Sequence, residues 1–458
     1  MILVRHISLR FGINYIVIFM KKKTSIIILT YNNLALTKDC IESIRKYTEK
    51  DTYEIIVVDN CSQDETPEWL KAQSDLHVIF NQENVGFPKG CNIGIASSSK
   101  ENDILLLNND TIVTTNWLSN LQECLYSDEK IGAVGAVSNH GANLQACEFT
   151  YENFDEMQEK ALKNNISDSS RWEEKICLIG YCMLIKREVI DELGGLDEGY
   201  TPGYIEDNDL SLRIVKLGYK LYLCHDAFIH HYLGTAFRKD EQKFNRLILK
   251  NRDYFEKKWN FDVFSFDHSK NLSIFLGREP QEILDYHSEI GASLLRIRYL
   301  FPNAHVVGVE SDSSKFAISK LLGEVTDDIK KIPKNSFDTI FIGNVLEEVE
   351  KPLFFIHELK EYLKPGGYII GEFSNINNIE NICLLFKNSW YYQNFQKQNH
   401  FTKSDISKMF LEEGYIDGYF YPFSKEFTDE EKDVLKKFSL SEEVKNIYYS
   451  FRFQKGFF

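Results

Sequence analysis

The chain has 458 residues, of which 43% are hydrophobic, and this is enough apolar material for two ordinary domain cores. Its formal net charge of −15 argues against nucleic acid or an anionic membrane as the main partner, because both require a basic face. The nine cysteines are scattered without a Cys-x-x-Cys pair, which favours reduced thiols in a cytoplasmic protein over a disulfide framework or a zinc site.

The first 23 residues are predicted to form an extension ahead of the first domain. Within them, the mostly apolar stretch INYIVIFM at 13–20 is too short to span a bilayer, and no small-residue cleavage site follows it. We therefore predict neither a transmembrane segment nor a signal peptide, and peripheral membrane association stays open. Met20 precedes three lysines and is an alternative start of translation, which the sequence does not decide.

A repeating pattern of strands and helices begins at Thr24. Apolar runs bounded by polar residues predict strands covered on both faces, as a parallel sheet beneath helices requires. Such runs, each followed by a helical or loop pattern, occur within 25–33, 53–66, 77–95 and 103–118. The alternation predicts an α/β domain with a parallel, doubly wound sheet.

Polar residues close three of these predicted strands. They are Thr30, Tyr31 and Asn32 after the first run, Asp59 after the second, and Asn108, Asn109 and Asp110 after the fourth. A single polar strand end is most simply a turn, because Asn and Asp hydrogen-bond their own backbone. Several at one edge favour a ligand site, since ligands of open α/β sheets lie at the carboxyl ends of the strands. An Asn-x-Asp there can also supply oxygen ligands to Mg²⁺ or Mn²⁺.

The motifs at these strand ends resemble those of family 2 glycosyltransferases, which have the GT-A fold. The resemblance is carried by TYNN, VVDNCSQDET, NVGFPKGCNIG and LLLNNDT, and it continues through 180–200, 204–223 and 227–237. The order and spacing of the motifs make the resemblance specific where no single motif would be. It implies a GT-A nucleotide-sugar-binding domain, which we place at 24–262.

The resemblance also implies which residues hold the donor. Those positioned to bind the nucleotide-sugar are Thr30, Asn32, Asp59, Asn84, Gly86, Asn92, Asn109 and Glu206. Glycine at position 86 would let the backbone approach the ligand closely, whereas Pro88 departs from the small residue expected there. For Asp59 the alternative is a helix N-cap after its strand.

A divalent metal, Mg²⁺ or Mn²⁺, is implied as well, with Asn108, Asp110 and His231 as its ligands. Asn108 stands where many family members have aspartate, so the site is expected to be weaker but retained. His231 is preferred to His230 because of its spacing to the glycine and phenylalanine that follow, although a lone histidine is more often structural. The metal would neutralise charge on the leaving diphosphate.

Transfer to a hydroxyl acceptor requires a base that takes its proton. The EDND segment offers Glu206, Asp207 and Asp209 at the start of a predicted helix, where the helix dipole alone can explain carboxylates. The family's base falls in the Glu-Asp pair, and we predict that it is Asp207, while Asp209 is expected to serve only the helix start. The resemblance implies inversion of the anomeric centre by direct displacement, without a covalent intermediate.

A second α/β pattern follows a segment at 251–271 that we predict to be a polar linker. Its stretches 282–312, 337–352 and 363–375 resemble class I S-adenosylmethionine-dependent methyltransferases, which implies a Rossmann-like domain at 275–458. The cofactor-binding positions would be Asp285, Gly291 and Glu310, although an acid such as Glu310 is as often a turn or cap residue. The first loop normally carries several glycines, but 286–290 are bulky here, so we expect a degenerate domain with a structural or acceptor-docking role.

The sequence therefore predicts an inverting glycosyltransferase of the hexosyltransferase type that acts on a hydroxyl of a surface glycan, a lipid-linked glycan or a protein. One alternative is a bifunctional enzyme that also methylates the sugar with S-adenosylmethionine. Another is a binding scaffold whose transferase site is dead. The sequence identifies neither the sugar and nucleotide of the donor, nor the acceptor, nor the oligomeric state.

Overall fold

The structure is a computed structural model, and it describes residues 2–8, 14–20, 22–141, 144–232, 241–266, 279–386, 398–438 and 440–456. The chain divides into two compact units, Met1–Phe266 and Asp267–Phe458. Near the N-terminus, β1 (Ile2–Ser8) and β2 (Asn14–Met20) pair as an antiparallel hairpin. Across the described ranges, no helix combines the length and the apolar composition needed to cross a membrane.

The first unit is built around a nine-stranded mixed sheet. Its strands are β3 (Thr24–Thr30), β4 (Tyr53–Asp59), β5 (Leu76–Phe80), β6 (Asp103–Asn108), β7 (Thr111–Ile112), β8 (Ile131–Ser138), β9 (Trp172–Lys175), β10 (Cys182–Ile185) and β11 (Lys220–His231). The strands lie in the order β5-β4-β3-β6-β10-β8-β11-β7, with β9 also paired to β11.

Only part of this sheet is parallel. Strands β5, β4, β3 and β6 run parallel to one another, as the alternating pattern predicts. Strand β10 then enters antiparallel between β6 and β8, and β7 pairs antiparallel with β11. The sequence missed this reversal because a buried four-residue run carries no signal of its direction.

Eight helices of the first unit are described. They are α1 (Leu34–Tyr47), α2 (Thr66–Lys71), α3 (Phe87–Ser97), α4 (Trp117–Leu125), α5 (Phe154–Asn164), α6 (Arg187–Leu193), α7 (Glu206–Lys216) and α8 (Glu241–Trp259). Because α8 continues to Trp259, the prediction of a linker from residue 251 is wrong for its first nine residues. Residues 267–271 of that predicted linker lie outside the described residues.

Helices cover both faces of the parallel strands. On one face Ile26 and Ile28 join a buried cluster that includes Ile41 of α1 and Trp117 of α4. On the other face α3 approaches β3 so closely that a Cβ added at Gly94 would lie 2.4 Å from the side chain of Ile27. The strands are therefore apolar along their length, and polar residues are confined to their ends.

The second unit contains a seven-stranded sheet in the order β14-β13-β12-β15-β16-β18-β17. Its strands are β12 (Glu282–Tyr286), β13 (His305–Val309), β14 (Glu324–Thr326), β15 (Phe337–Gly343), β16 (Leu363–Ser374), β17 (Tyr415–Ser424) and β18 (Asn446–Lys455). Strands β12 to β16 run parallel to one another, whereas β18 is antiparallel to both β16 and β17.

The second unit also has helices that follow its strands. They are α9 (Ala292–Leu300), α10 (Ser313–Ser319), α11 (Pro352–Lys360) and α12 (Ile379–Phe386), and two further helices span Lys403–Glu412 and Asp429–Phe438. This alternation of parallel strands and helices is the Rossmann-like architecture that the sequence pattern predicts.

Candidate active site

The carboxyl ends of β3, β4 and β6 bring the predicted polar residues together. In the register of the sheet, Thr30 lies beside Asp59, and Asn108 lies beside Leu29 on the other side of β3. Three strand ends that are distant in sequence thus form one polar edge. We call this the donor edge.

Thr30 and Asn109 belong to a hydrogen-bonded group that closes the donor edge from behind. The Thr30 hydroxyl lies 2.8 Å from the Thr37 hydroxyl of α1, and Thr30 is 1% exposed. The Asn109 amide donates to both hydroxyls, at 3.3 Å and 3.0 Å. These contacts hold α1 against the end of β6, so both residues shape the edge rather than present free polar groups.

Asp59 offers a buried carboxylate oxygen at the donor edge. Its Oδ2 accepts a hydrogen bond from the Ser62 backbone at 3.3 Å, whereas its Oδ1 has no partner among the described residues. Burial raises the pKa of this carboxyl. A buried oxygen without a partner is costly, so Oδ1 is available to accept a hydrogen bond from a ligand or a water molecule.

Asn32 fixes the backbone loop that follows Asp59. Its backbone N–H donates to the Ser62 hydroxyl at 2.7 Å, and its side-chain oxygen accepts from the Gln63 backbone at 2.7 Å. Asn32 has a φ of +59°, in the left-handed region that Asn tolerates better than most residues. Asn32 therefore joins the loops after β3 and β4.

Asn60 organises the next loop and is a residue that sequence reasoning missed. Its side-chain oxygen accepts from the Asn81 amide at 3.1 Å and from the Val85 backbone at 3.0 Å. Its amide donates to Asn84 Oδ1 at 2.8 Å and to the Gly86 carbonyl at 3.3 Å. Asn60 uses its full hydrogen-bonding capacity to shape this loop. Its position directly after a strand-ending aspartate was the available signal.

Gly86 and Asn92 connect this loop to residues 196–202. Gly86 has a φ of +83°, and a Cβ there would lie 2.8 Å from the Pro202 Cα, so only glycine fits without displacement. Asn92 both donates to the Leu196 carbonyl at 2.9 Å and accepts from the Leu196 N–H at 2.8 Å. Its amide also lies 3.1 Å from Glu198. The polar atoms of Asn92 are thus engaged in holding that turn.

Asp110 and His231 meet at the donor edge. His231 pairs with Thr111 across β11 and β7, and its Nε2 lies 3.3 Å from Asp110 Oδ1. The Tyr181 ring stacks on the imidazole with centroids 5.1 Å apart, and the His140 carbonyl lies 3.4 Å from His231 Nδ1. These contacts turn Nε2 towards the carboxylate.

His230 faces different partners from those of its neighbour. Its Nδ1 hydrogen-bonds the Tyr151 hydroxyl, and its ring packs edge-on against Phe154 and Tyr232. Burial lowers the pKa of His230 to about 4. The contact with Asp110 is made by His231, the histidine preferred on spacing. Gly234 and Phe237, on which that spacing rested, lie outside the described residues.

The residues at this point have the chemistry of a divalent metal site. A carboxylate and an imidazole converge, and Asn108 ends β6 two positions before Asp110. Carboxylate and amide oxygens suit Mg²⁺ and Mn²⁺, and the imidazole nitrogen favours Mn²⁺ of these two. The donor set therefore fits the implied metal.

Glu206 and Asp207 are the first two residues of α7. Asp207 accepts hydrogen bonds from the Gly180 N–H at 3.3 Å and the Asn208 N–H at 2.9 Å. Glu206 is 7% exposed, and its Oε2 has no partner in the described part of the chain. Burial raises both pKa values, and burial together with the charge of Asp207 raises the pKa of Glu206 to about 8. Glu206 is therefore protonated near neutral pH, whereas the two N–H donors favour the charged form of Asp207.

Asp209 is more than the helix-start residue that the sequence suggested. It is fully buried, and its carboxylate lies 2.8 Å from Arg213 Nε and 2.7 Å from Lys258 Nζ. The Trp259 indole N–H also donates to it at 3.0 Å. The expectation of a purely local role is wrong, because Asp209 joins α7 to the end of α8.

In the second unit, the loop after β12 has three residues at positive φ, of which only one is glycine. His287 and Glu289 have φ values of +61° and +51°, and Gly291 has +95°. The Lys315 ammonium lies 2.7 Å from Glu289 Oε1, and the His287 ring lies 3.4 Å from the same atom. The side chains of His287, Glu289 and Lys315 therefore crowd a loop whose backbone conformation favours glycine.

The two predicted acids of this unit are also engaged by the protein. Both oxygens of Glu310 accept backbone N–H groups, from Glu289 at 2.9 Å and from Asp312 at 2.8 Å. Asp285 accepts from the Ser293 hydroxyl at 2.6 Å, and burial raises its pKa to about 7. Asp285 and Glu310 are thus already hydrogen-bonded by the chain, and bulky side chains stand in the loop where several glycines are expected for S-adenosylmethionine. The ligand atoms of His287, Glu289 and Glu310 lie within 4.8 Å of one another, but Lys315 already neutralises Glu289, so we assign no metal there.

Comparison with known families bears on both units. Residues 25–194 match the family described as Glycosyl transferase family 2. The first unit carries a family 2 glycosyltransferase domain. Residues 290–371 match the family described as Methyltransferase domain, so the second unit carries a domain of that type. These matches, together with the two sheets, confirm the family resemblance and the fold class predicted from the sequence.

Individual relatives of this chain are distant. An uncharacterised protein of Sinorhizobium fredii is 26% identical over 56% of this chain and 29% of its own length. An O-antigen chain rhamnosyltransferase of Salmonella typhimurium is 24% identical over 48% of this chain and 70% of its own. A Pyrobaculum calidifontis mannosyltransferase solved with GDP-mannose and Mn²⁺ is 19% identical, with a TM-score of 0.39, over 53% of this chain and 65% of its own. The chain thus spans less than a third of the Sinorhizobium protein.

Proposed function

We propose that the glycosyltransferase domain, placed at 24–262, is an inverting, metal-dependent enzyme. It moves a sugar from a nucleotide-sugar donor to a hydroxyl group of a surface glycan, a lipid-linked glycan or a protein. The observation that carries this proposal is the meeting of Asp110 and His231 at the same edge as the Asp59 oxygen that no described residue satisfies. The rhamnosyltransferase relative supports an acceptor of the surface-glycan class.

The donor edge would bind the nucleotide through Asp59 and the loops around it. Asp59 Oδ1, which has no partner among the described residues, would accept a hydrogen bond from the base or the ribose. Asn32 and Asn84 fix the two loops on either side, and Gly86 allows the backbone to come close. Thr30, Asn109 and Asn92 act behind this surface by holding α1 and the 196–202 turn in place.

Asn108, Asp110 and His231 would hold the divalent cation, Mn²⁺ or Mg²⁺. When bound, the cation neutralises the charge that develops on the leaving nucleoside diphosphate. Asp110 supplies the only carboxylate of this set, so its charge is the largest contribution of the protein to the site. The stacked Tyr181 and the His140 carbonyl keep the imidazole of His231 oriented.

Asp207 would take the proton of the acceptor hydroxyl as the sugar is transferred. The raised pKa of Asp207 makes it a stronger base than an exposed aspartate, while its two N–H donors keep it charged. Glu206 stays protonated near neutral pH and lies beside it. Attack by the activated hydroxyl on the face opposite the leaving group inverts the anomeric carbon.

We infer that the methyltransferase-type domain, placed at 275–458, does not bind S-adenosylmethionine as its family does. The support is the engagement of Glu310 and Asp285 by the chain itself and the bulk of His287 and Glu289. A structural or acceptor-docking role is the function that remains for this domain. The match to a methyltransferase domain fits the bifunctional alternative in part, but that alternative requires S-adenosylmethionine to bind beside these bulky side chains.

Release of nucleoside diphosphate from UDP-, GDP- and dTDP-sugars tests the proposal. The purified chain with Mn²⁺ should turn over donors of one nucleotide class, with water or added glycan as the acceptor. Turnover excludes the scaffold alternative. Failure to turn over any of these donors, with the protein folded and metal present, would contradict an active transferase site.

A further inference from the structure

Helix α8 lies beyond the matched residues 25–194, and its sequence carries no motif that we assigned to the reaction. One of its residues is nevertheless fully buried and polar. Asn251 has an exposed fraction of 0%, and its side chain reaches the segment that leads into α7. This segment, residues 200–205, ends immediately before Glu206 and Asp207, and we call it the base loop.

Asn251 binds the base loop through three backbone carbonyls. Its Nδ2 lies 2.8 Å from the Tyr200 oxygen, 2.7 Å from the Gly203 oxygen and 3.0 Å from the Tyr204 oxygen. An amide nitrogen carries two hydrogens, so one of the hydrogens is shared between two of the three carbonyls. Asn251 Oδ1 has no partner among the described residues, so the side chain interacts with the protein through its Nδ2 donors.

The base loop needs such an anchor because its backbone is strained. Tyr204 and Ile205 have φ values of +74° and +76°. A β-branched residue such as isoleucine rarely adopts a positive φ, and the conformation costs free energy unless the surroundings hold it. The strained residues immediately precede Glu206, so they set the direction in which α7 begins.

Other contacts attach α8 itself to the same region. Lys258 bridges Asp197 at 2.6 Å and Asp209 at 2.7 Å. The Phe244 ring lies edge-on to the Tyr204 ring, with centroids 5.1 Å apart. These contacts hold α8 in place, and the hydrogen bonds from Asn251 then hold the base-loop carbonyls against the helix.

We propose that Asn251 is a positioning residue that sets the location of the Asp207 carboxylate. This inference rests on the proposed function, in which Asp207 takes the acceptor proton. The hydrogen bonds of Asn251 go to the base loop and not to the strand ends of the donor edge, although Pro202 of that loop lies against Gly86. Loss of Asn251 is therefore expected to lower the rate of the chemical step much more than it weakens donor binding.

The test compares Asn251→Ala with the wild type, using whichever UDP-, GDP- or dTDP-sugar the wild type turns over. The rate constant kcat should fall about 10- to 100-fold, as expected when a reacting group is displaced by roughly 1 Å. The donor KM and the Kd of the free nucleoside diphosphate should change less than about twofold. Asn251→Ser keeps one donor and should retain more turnover. Asp253→Asn, an exposed change on the same helix, is the matched control.

A double variant separates positioning from a general effect on the fold. If Asn251 acts through Asp207, adding Asn251→Ala to Asp207→Asn should cost almost nothing further, because the group being positioned is already lost. Independent, additive losses would overturn the positioning role, and so would a rise in nucleotide Kd that matches the fall in kcat. If Asn251→Ala does not fold, Asn251→Ser carries the same comparison.

The outcomes also distinguish this inference from the proposed function. If Asp207→Asn keeps normal turnover, the assignment of the base is wrong and the role of Asn251 falls with it. If Asp207→Asn loses turnover while both Asn251 variants retain it, only the positioning role is wrong. A wild type that turns over none of the three donors contradicts both.

Discussion

The carboxyl edges of the two sheets differ in what stands at their ligand positions. In the first unit the edge keeps a close-packed glycine, Gly86, and a buried oxygen of Asp59 that no described residue satisfies. In the second unit His287 and Glu289 stand at positive φ, and Glu310 is satisfied by backbone N–H groups. Although the two sheets differ in strand order, each presents loops at the carboxyl ends of its parallel strands, and a few residues of those loops distinguish the two edges.

The largest expected effect is on the base in the first unit. Asp207→Asn preserves the shape of the side chain and removes the proton acceptor, so turnover should fall by about 10² to 10⁴ while nucleotide affinity survives. Steady-state kinetics and nucleotide titration under saturating Mn²⁺ measure the two quantities. The exposed Asp253→Asn serves as the control. Near-normal turnover in Asp207→Asn would mean that another carboxylate is the base.

A second large effect is expected on the stability of the first unit when Asp209 is replaced. Asp209 is not one of the residues assigned to ligand binding at either edge. Asp209→Asn leaves Arg213 and Lys258 without their buried partner, so the first unit should lose about 3 kcal/mol of stability. Asp253→Asn breaks only an exposed pair and should cost about 0.5 kcal/mol or less. Thermal unfolding of the two variants measures this difference. Equal unfolding midpoints for Asp209→Asn and Asp253→Asn would show that the contacts of Asp209 contribute nothing to stability.

The comparison of the two edges is sharpened by restoring glycines in the second. Titration calorimetry of the wild type with S-adenosylmethionine should give no saturable heat at micromolar concentrations. The double variant His287→Gly and Glu289→Gly removes the side chains and relieves two positive φ angles, so it should gain measurable binding. Tight binding by the wild type would revive the bifunctional alternative and remove the contrast between the edges.

The smallest expected effect concerns Glu206. Glutamine resembles protonated glutamate, and the pKa of Glu206 is raised to about 8, so Glu206→Gln should keep turnover near pH 7. Since Asp207 must be charged to act and its pKa is raised, the rate should fall as the pH drops through that raised value in both proteins. Any change in the rate of the wild type near pH 8, where Glu206 titrates, should be absent from Glu206→Gln. If Glu206→Gln is inactive at pH 7, the general base is Glu206 and not Asp207.

Strand ends and motif order made much of the donor edge predictable from the sequence. Asp59, Asn108 and Asp110 follow apolar runs, and parallel strands bring such ends together. The features that the sequence did not predict depend on contacts between residues that are distant in sequence. Asn60, Asn251 and the partners of Asp209 have roles fixed only by packing, and the direction of β10 has no local signal. The same limit explains why residues 251–259 looked like a linker.

The most direct test of the central claim is donor turnover with and without metal. The account predicts that excess chelator abolishes release of nucleoside diphosphate, that Mn²⁺ restores it, and that Asp110→Ala is inactive with or without added Mn²⁺. The protein should remain folded throughout, as judged by its thermal unfolding. Full turnover in excess chelator, or by Asp110→Ala, would contradict a metal-dependent donor edge.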